Sequence, residues 1–371
     1  MELRKIKKAF TGYLPLVVKS GLASLSPVFY APMRFRPTSA TVMITDRCNL
    51  KCVMCRQWQD NHPKELSREA WERILRDLRT CGINNIHFTG GEPLLSKDLS
   101  YLMKFAAKNS FTIGMTTNGT LLDGAKLDEL VFSGLRSVAL SVDAVGEKYE
   151  AIRGVKGAFN KMDAAAKAVS DRVRHNGLHA YINFTLLKDN ISDLSEVKKY
   201  ADSLGLPLAV NLLDPNSSIF DTDKNKTELW IKNENDMNEL KKAVSFLKKV
   251  KGRRPSSLII NYPAIDFIPQ YFKDPVSKHI PCVSSQDRLI IDPYGNLLGG
   301  CMSMGTFGNL SETPLKVILA GERYRKAMKN MFYKKCRGCS CGYFINIKTL
   351  PKYMLNDMWQ RFVFNVLKVK A

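Results

Sequence analysis

Three cysteines stand close together in Cys48-Asn49-Leu50-Lys51-Cys52-Val53-Met54-Cys55. Thiolates are the soft ligands that zinc and iron-sulfur clusters take. Three on one tight loop can hold three irons of a four-iron four-sulfur cluster and leave the fourth iron open to a substrate or cofactor. A structural zinc site needs a fourth ligand close by, and the nearest histidine, His62, lies outside the usual spacings. A second set follows about two hundred residues after Cys81: Cys282, Cys301, Cys336, Cys339 and Cys341. Nine cysteines is an odd count, and tight clusters in a long chain read as metal ligation in a reducing compartment rather than as a disulfide framework. Cys81 stands apart and reads as a packed core residue.

Further polar chemistry falls at regular intervals after the first cysteine loop. In Thr89-Gly90-Gly91-Glu92-Pro93 the glycines let the backbone come close to a ligand, and the carboxylate attracts an ammonium group. Thr117-Asn118-Gly119 and Ser141-Val142-Asp143 end two apolar runs and put small polar groups where the ligands of parallel sheets collect.

The elements that must position these residues alternate. Strands are expected at Thr41 to Thr45, Asn85 to Phe88, Thr112 to Thr116, Ser137 to Val142, Ala180 to Leu186 and Pro207 to Leu212. Helices are expected at Ser67 to Arg79, where Trp71, Ile74, Leu75 and Leu78 repeat at helical spacing, and at Lys97 to Lys108, Phe159 to Val173 and Leu194 to Ser203. Such β-then-α order implies right-handed crossovers and a parallel sheet covered by helices, either an open doubly wound sheet or a partial barrel. After Leu212 the pattern breaks into a polar stretch and a basic helix running through Lys241, Lys242, Lys248, Lys249 and Lys251 to Arg254. From Arg288 to Cys301 two short runs about Pro293, Tyr294 and Gly295 signal a β-hairpin.

Length and charge bound the remaining possibilities. The 371 residues, 45% hydrophobic and 25% charged, have ordinary globular composition, which excludes fibrous, low-complexity and small disulfide-scaffold classes. A net charge of +21 calls for an anionic partner. Residues 1 to 37 carry seven Lys or Arg against one Glu beside apolar runs too interrupted to span a bilayer. With a C-terminal apolar stripe of Leu355, Met358, Trp359, Phe362, Val363 and Val366, they raise peripheral contact of a cytoplasmic protein with an anionic membrane. Packing on the protein's own core is the alternative for both segments. No nucleic-acid module is recognisable, so no specific nucleic-acid binding is expected. A zinc-stabilised nucleic-acid-binding or interaction protein would explain the cysteines but not the glycine-rich turn or the polar strand ends.

Taken together, these residues resemble the radical S-adenosylmethionine (SAM) superfamily, whose signature is Cys-x3-Cys-x2-Cys after the first strand, with a Gly-Gly-Glu-Pro turn after the second. The resemblance implies an α/β fold, a partial (β/α)6 TIM-like barrel with a small C-terminal β-hairpin plus helix domain that binds a cluster. It implies Cys48, Cys52 and Cys55 as ligands of a 4Fe-4S cluster. Gly90, Gly91, Glu92, Pro93, Asn118, Ser141, Asp143 and Arg153 would form the SAM site, with the Gly-Gly-Glu-Pro turn on the amino group, Ser141 and Asp143 on the carboxylate and ribose, and Arg153 on the carboxylate. The residue before the third cysteine is usually aromatic in the family and is Met54 here. The second cysteine set resembles the cluster-binding extension called Twitch, a shortened relative of SPASM. It implies one auxiliary 4Fe-4S cluster on Cys282, Cys301, Cys336 and Cys339, with Cys341 able to replace Cys339. Domains are expected at 1–37 (basic arm), 38–213 (barrel), 214–280 (linker and insertion), 281–345 (auxiliary domain) and 346–371 (amphipathic helix).

The activity implied is reductive cleavage of SAM to a 5′-deoxyadenosyl radical, which takes hydrogen from an unactivated carbon, an oxidoreductase or related radical enzyme fed by an external donor such as flavodoxin or ferredoxin. The basic flanks point to a sugar, a lipid-linked substrate or another anionic small molecule, with a ribosomally made peptide as the alternative. No acid, base or hydrogen donor is identifiable, although Cys341 and Tyr262 are noted.

Overall fold

Seven strands, all parallel, make one curled sheet in the order β6-β5-β4-β3-β2-β1-β7, a half-barrel with its helices outside. The computed structural model describes residues 36–59, 64–216, 228–275, 282, 284–302 and 305–333. In chain order the first units are β1 (Ser39–Thr45), α1 (Arg68–Thr80), β2 (Asn85–Gly90), α2 (Leu99–Lys108), β3 (Thr112–Thr117), α3 (Gly124–Phe132) and β4 (Leu135–Ser141). Next come α4 (Glu147–Arg153), α5 (Ala158–Asn176), β5 (His179–Leu186), α6 (Leu194–Ser203) and β6 (Leu208–Leu212). The remainder comprises α7 (Glu234–Arg253), α8 (Tyr262–Lys273), α9 (Ser284–Asp287), β7 (Arg288–Ile291), α10 (Leu315–Ala320) and α11 (Glu322–Phe332).

Local sequence explains the units. Ser67 caps α1 by accepting from Ala70 N, and Trp71, Ile74, Leu75 and Leu78 form its buried stripe against the sheet. Along β5 burial alternates: Ala180, Ile182, Phe184 and Leu186 are buried under helices, while Tyr181, Asn183 and Thr185 are half-buried on the concave side. In-register neighbours of a parallel sheet share a face, so Thr41, His87, Gly114 and Ser137 form one row across the interior. Gly114 makes that row possible, since a Cβ there would stand 2.8 Å from His87 Nδ1 and 2.6 Å from Ser137 Oγ.

Three features differ from the sequence expectation. The helices α3 and α4 were not visible in the pattern; α4 buries Tyr149, Ile152 and Arg153, so part of its buried stripe is a charged residue that periodicity counts as polar. The described part of 214–280, expected as a linker and insertion, packs on the barrel. Trp230 packs on Tyr271 and Phe272, its Nε1 donates to Phe272 O, and Leu240, Leu247, Ile265 and Ile268 join the barrel core. The first arm of the hairpin is also not confined to a separate C-terminal unit. It is β7, which lies parallel to β1 from Ser39↔Arg288 to Val42↔Ile291, and Ile290 packs with Met43 and Leu298. The hairpin continues from it: Leu298 N donates to Ile290 O at 2.8 Å, and Phe307 N donates to Leu297 O at 2.8 Å.

Candidate active site

The chain leaves β1 at Thr45 and turns through Asp46 into the cysteine loop at the carboxyl edge of the sheet. Cys52 and Met54 are buried, and Cys48 and Cys55 are half-buried against the core. One side of the loop rests on the end of α4, where Lys51 N donates to Arg153 O at 2.9 Å and Val53 N to Ile152 O at 3.0 Å. Gly154, at φ +70, closes α4 so near the loop that a Cβ would overlap Lys51 O. The other side is held by the glycine-rich turn, with Gly91 N donating to Thr45 O and Glu92 N to Arg47 O, both at 2.8 Å. A Cβ on Gly90 would overlap Thr45 O and one on Gly91 would overlap Arg47 O. These glycines therefore bring their backbone against the cysteine loop.

Glu92 is held by the protein around it. Its carboxylate is fully buried: Oε1 accepts from Thr117 Oγ1 at 2.7 Å and from Leu94 N at 3.2 Å, and Oε2 accepts from Asn118 N at 2.8 Å. Burial pushes its pKa up to about 7 despite those donors. The carboxylate thus clasps the end of β3 to the turn after β2. Pro93 is buried in the short 3-10 turn Pro93–Leu95 that Glu92 caps. Asn118 likewise faces the protein: Nδ2 donates to Asn49 Oδ1 at 2.9 Å, and Oδ1 accepts from Thr120 N. This ties the middle of the cysteine loop to β3.

Arg153 is buried rather than on the surface. Its Nη2 lies 2.6 Å from Asp143 Oδ2, its Nη1 donates to Cys52 Sγ at 3.6 Å, and its guanidinium sits 5.5 Å from the centre of the Tyr149 ring. Its Nε is buried without a hydrogen-bond partner among the described residues. Burial opposes the charge, but Asp143 and the neighbouring thiol hold the guanidinium pKa above its ordinary value. Asp143 is only 1% exposed, and its Oδ1 accepts from Thr185 N at 2.7 Å. Ser141, half-buried at the end of β4, is in register with Asn183.

Burial, then the neighbouring thiols, push Cys48 up to about 11 and Cys55 up to about 12, so both are protonated at neutral pH until a metal displaces the protons. Among the described residues no group of three or more His, Cys, Asp or Glu gathers closely enough to hold a single ion. A cubane offers each thiolate its own iron, so three ligands on one loop need not converge on a point as those of zinc must. The buried Arg153 cation beside Cys52 suits an anionic thiolate-ligated cluster, and its spare Nε–H is a donor waiting for an acceptor. The residues fit a three-cysteine 4Fe-4S cluster with an anionic ligand beside it.

In the second set, Cys282 is buried with its N–H donated to Phe332 O at 2.9 Å, and Cys301 is half-buried. Cys336, Cys339 and Cys341 lie outside the described residues, as do the segments 1–35 and 334–371. Cys81 caps α1 and packs partly on the core. Tyr262 opens α8 with its hydroxyl beside Gly252 of α7. A cavity of about 400 Å³ is lined by Ile44, Arg47, Trp71 and Lys97 among others. Sequence reasoning missed Asn49, Thr117, Tyr149, Thr185 and Asn190. Asn190 donates to both Asp143 O and Thr185 O. These are common polar residues that bond across long stretches of sequence, and only Asn49, inside the cysteine loop, and Thr117, beside Asn118, sat in recognised motifs.

A parallel half-barrel carrying a Cys-x3-Cys-x2-Cys loop after its first strand defines a radical SAM enzyme, and residues 42–201 match the Radical SAM superfamily. The chain carries a radical SAM domain over those residues. More particularly it carries a SPASM domain: residues 282–340 match this iron-sulfur cluster-binding domain, a span that includes Cys282, Cys301, Cys336 and Cys339 and ends just before Cys341. It is 36% identical over 156 residues to the Fe-coproporphyrin III synthase of Methanosarcina barkeri, covering 42% of this chain and 38% of that protein. It is 33% identical over 177 residues to the PqqA peptide cyclase of Gluconobacter oxydans, covering 46% of this chain and 47% of that one. The chain thus spans less than half the length of these two curated relatives. Among solved structures, Streptococcus suis SuiB bound to precursor peptide SuiA is similar with a TM-score of 0.63 at 16% identity, covering 85% of this chain and 73% of that one. The match shows the shared fold.

Proposed function

We propose that the chain is a radical SAM enzyme that modifies an unactivated carbon of a peptide substrate, with Cys48, Cys52 and Cys55 holding the first 4Fe-4S cluster and Arg153 meeting SAM. The observation that carries the radical reading is the buried Arg153, paired with Asp143, touching Cys52 and keeping one donor free. A cluster with SAM supplies a 5′-deoxyadenosyl radical, the hard chemistry of the site, and the protein supplies seating, orientation and exclusion of water. Glu92, Asn118 and Gly154 hold the loop from two sides. The polar row of Thr41, His87 and Ser137 runs across the half-barrel, with His87 Nε2 hydrogen-bonded to Thr116 Oγ1 at 2.7 Å. Burial and the Arg288 cation push His87 down to about 4, so it presents a neutral imidazole.

The relation to a peptide cyclase supports a peptide over the sugar or lipid-linked substrate that the basic flanks suggested. The relation to a porphyrin-metabolising synthase, with the net +21, supports a second reading, an anionic tetrapyrrole. Replacing any one of Cys48, Cys52 and Cys55 by Ala should abolish 5′-deoxyadenosine formation by reduced, reconstituted enzyme, because the open-iron cluster loses one of its three ligands. Unchanged cleavage would overturn the radical assignment. The substrate class is read from a deuterated cell extract. Deuterium should enter 5′-deoxyadenosine, and protease treatment of the extract should abolish the transfer. Transfer that survives protease and follows the small-molecule fraction would favour the tetrapyrrole.

A further inference from the structure

The tip of the C-terminal hairpin grips the cysteine loop at both ends. Tyr294 Oη donates to Asp46 Oδ2, two residues before Cys48. The neighbouring Pro293 O accepts from Leu66 N at 2.9 Å, where the chain enters α1. The segment between, residues 46 to 66, contains all three cysteines. Its ends are drawn together again by Thr45 Oγ1 donating to Glu65 Oε1 at 2.5 Å, with Arg47 Nη2 3.3 Å from Glu65 Oε2.

The tip itself is built to hold this pose. Asp292 Oδ1 accepts from Tyr294 N at 2.9 Å and from Asn296 N at 2.8 Å, and Asn309 Nδ2 donates to Tyr294 O at 2.9 Å. Gly295, at φ +88, passes so close to Leu66 that a Cβ there would stand 3.1 Å from Leu66 Cδ1. The phenol is therefore presented on a preformed turn to a carboxylate that is only 5% exposed. The same hairpin begins in β7, on the edge of the barrel, and leads to Cys301.

We infer that Tyr294 is a positioning residue for the first cluster, holding the cysteine loop through Asp46 and so making the seating of that loop depend on the C-terminal hairpin. The grip is made between groups of the protein itself, so it exists before any cluster is present. It rests on the assignment of Cys48, Cys52 and Cys55 as ligands only for its consequence in the loaded enzyme.

The test begins with the full chain freed of metal. Alkylation of Cys48, Cys52 and Cys55 by iodoacetamide, followed by mass spectrometry, should rise about tenfold in Tyr294→Phe, the change expected when one hydrogen bond to a charged group no longer opposes opening. Cys81, in α1's C-terminal cap, should react as in the parent and serves as the internal reference. Asp46→Asn keeps a neutral acceptor for the phenol and should fall between the parent and Tyr294→Phe, whereas Asp46→Ala should match Tyr294→Phe. In reconstituted protein, Tyr294→Phe should shift the electron paramagnetic resonance signal and reduction potential of the first cluster without loss of bound iron. Unchanged alkylation at all three cysteines in a folded Tyr294→Phe protein would overturn the inference whatever the chemistry of the enzyme. If alkylation rises but the protein binds no cluster, the grip stands and the radical reading falls.

Discussion

Arg153 and Glu92 show how the site uses buried charge. Arg153 answers two demands at once, neutralising Asp143 and placing a cation beside Cys52. Arg153→Ala leaves the Asp143 carboxylate buried without its counter-charge, a change that costs about 3–5 kcal/mol. Urea unfolding of the metal-free chain should register that loss, and Arg153→Lys should recover part of it, because a lysine keeps the charge but lacks the planar fork. Glu92 gives a pH dependence of definite sign. Its pKa rises from 4.5 to about 7 on folding, so the folded chain binds more protons than the unfolded one between those values. Its contribution is fully present below pH 4.5 and is lost as pH rises through 7, a change of roughly 3 kcal/mol. Across that window the stability of the parent should fall relative to Glu92→Gln, whose side chain does not titrate. A constant difference between the two proteins would show that Glu92 is ionised throughout.

At the scale of elements, the cysteine loop is a segment without helix or strand over its cysteines, made definite by its neighbours. Two glycine positions set how closely they approach. Gly154→Ala places a Cβ on Lys51 O at a left-handed backbone position, and Gly91→Ala places one on Arg47 O. Either substitution should push the loop off its support. Bound iron after anaerobic reconstitution should drop, while far-ultraviolet circular dichroism of the barrel stays at the parent value. Gly177→Ala is the control for Gly154→Ala: its φ of +66 carries similar backbone strain, but nothing lies within 4 Å of the added methyl, so iron binding should be kept. For the second cysteine set, Ala at Cys282 or Cys301 should lower iron from about eight toward four per chain and leave slow SAM cleavage by the first cluster.

For the whole molecule, the placement of β7 makes the barrel and the C-terminal domain one cooperative body. A chain ending before Arg288 leaves the β1 edge unpaired and Met43 without Ile290 and Leu298, so it should be recovered as aggregate in size-exclusion chromatography, not as a monomeric barrel. Among the described residues no helix is long and apolar enough to cross a membrane. The expectation of contact with anionic membranes rests on residues 1–37 and 346–371, of which only Arg36 and Pro37 are described. Sedimentation with anionic liposomes should fall as salt rises and weaken when residues 1–33 are removed; equal recovery in the supernatant with and without liposomes at low salt would reassign the net +21 to other partners.

Much of this was legible in the sequence because its signals are local. The Cys-x3-Cys-x2-Cys spacing, the Gly-Gly-Glu-Pro turn and the alternation of strands with helices each occupy a short window in which residue type limits the chemistry or the period. The six expected strands lie within a few residues of β1 to β6, and the family follows from motifs of the same kind. What the tertiary structure decided is which partner each polar group faces. For Glu92, folding places Thr117 and Asn118 around the carboxylate, 25 and 26 residues away, contacts that no local motif announces. Arg153 is enclosed by Asp143 and Cys52, partners that the sequence does not place beside it, and Tyr294 reads as part of a turn until it meets Asp46 across 248 residues. Spacing along the chain constrains ligand sets and periods, whereas burial and long-range pairing are properties of the assembled core, and they determine whether a carboxylate binds a substrate or fastens two strands together.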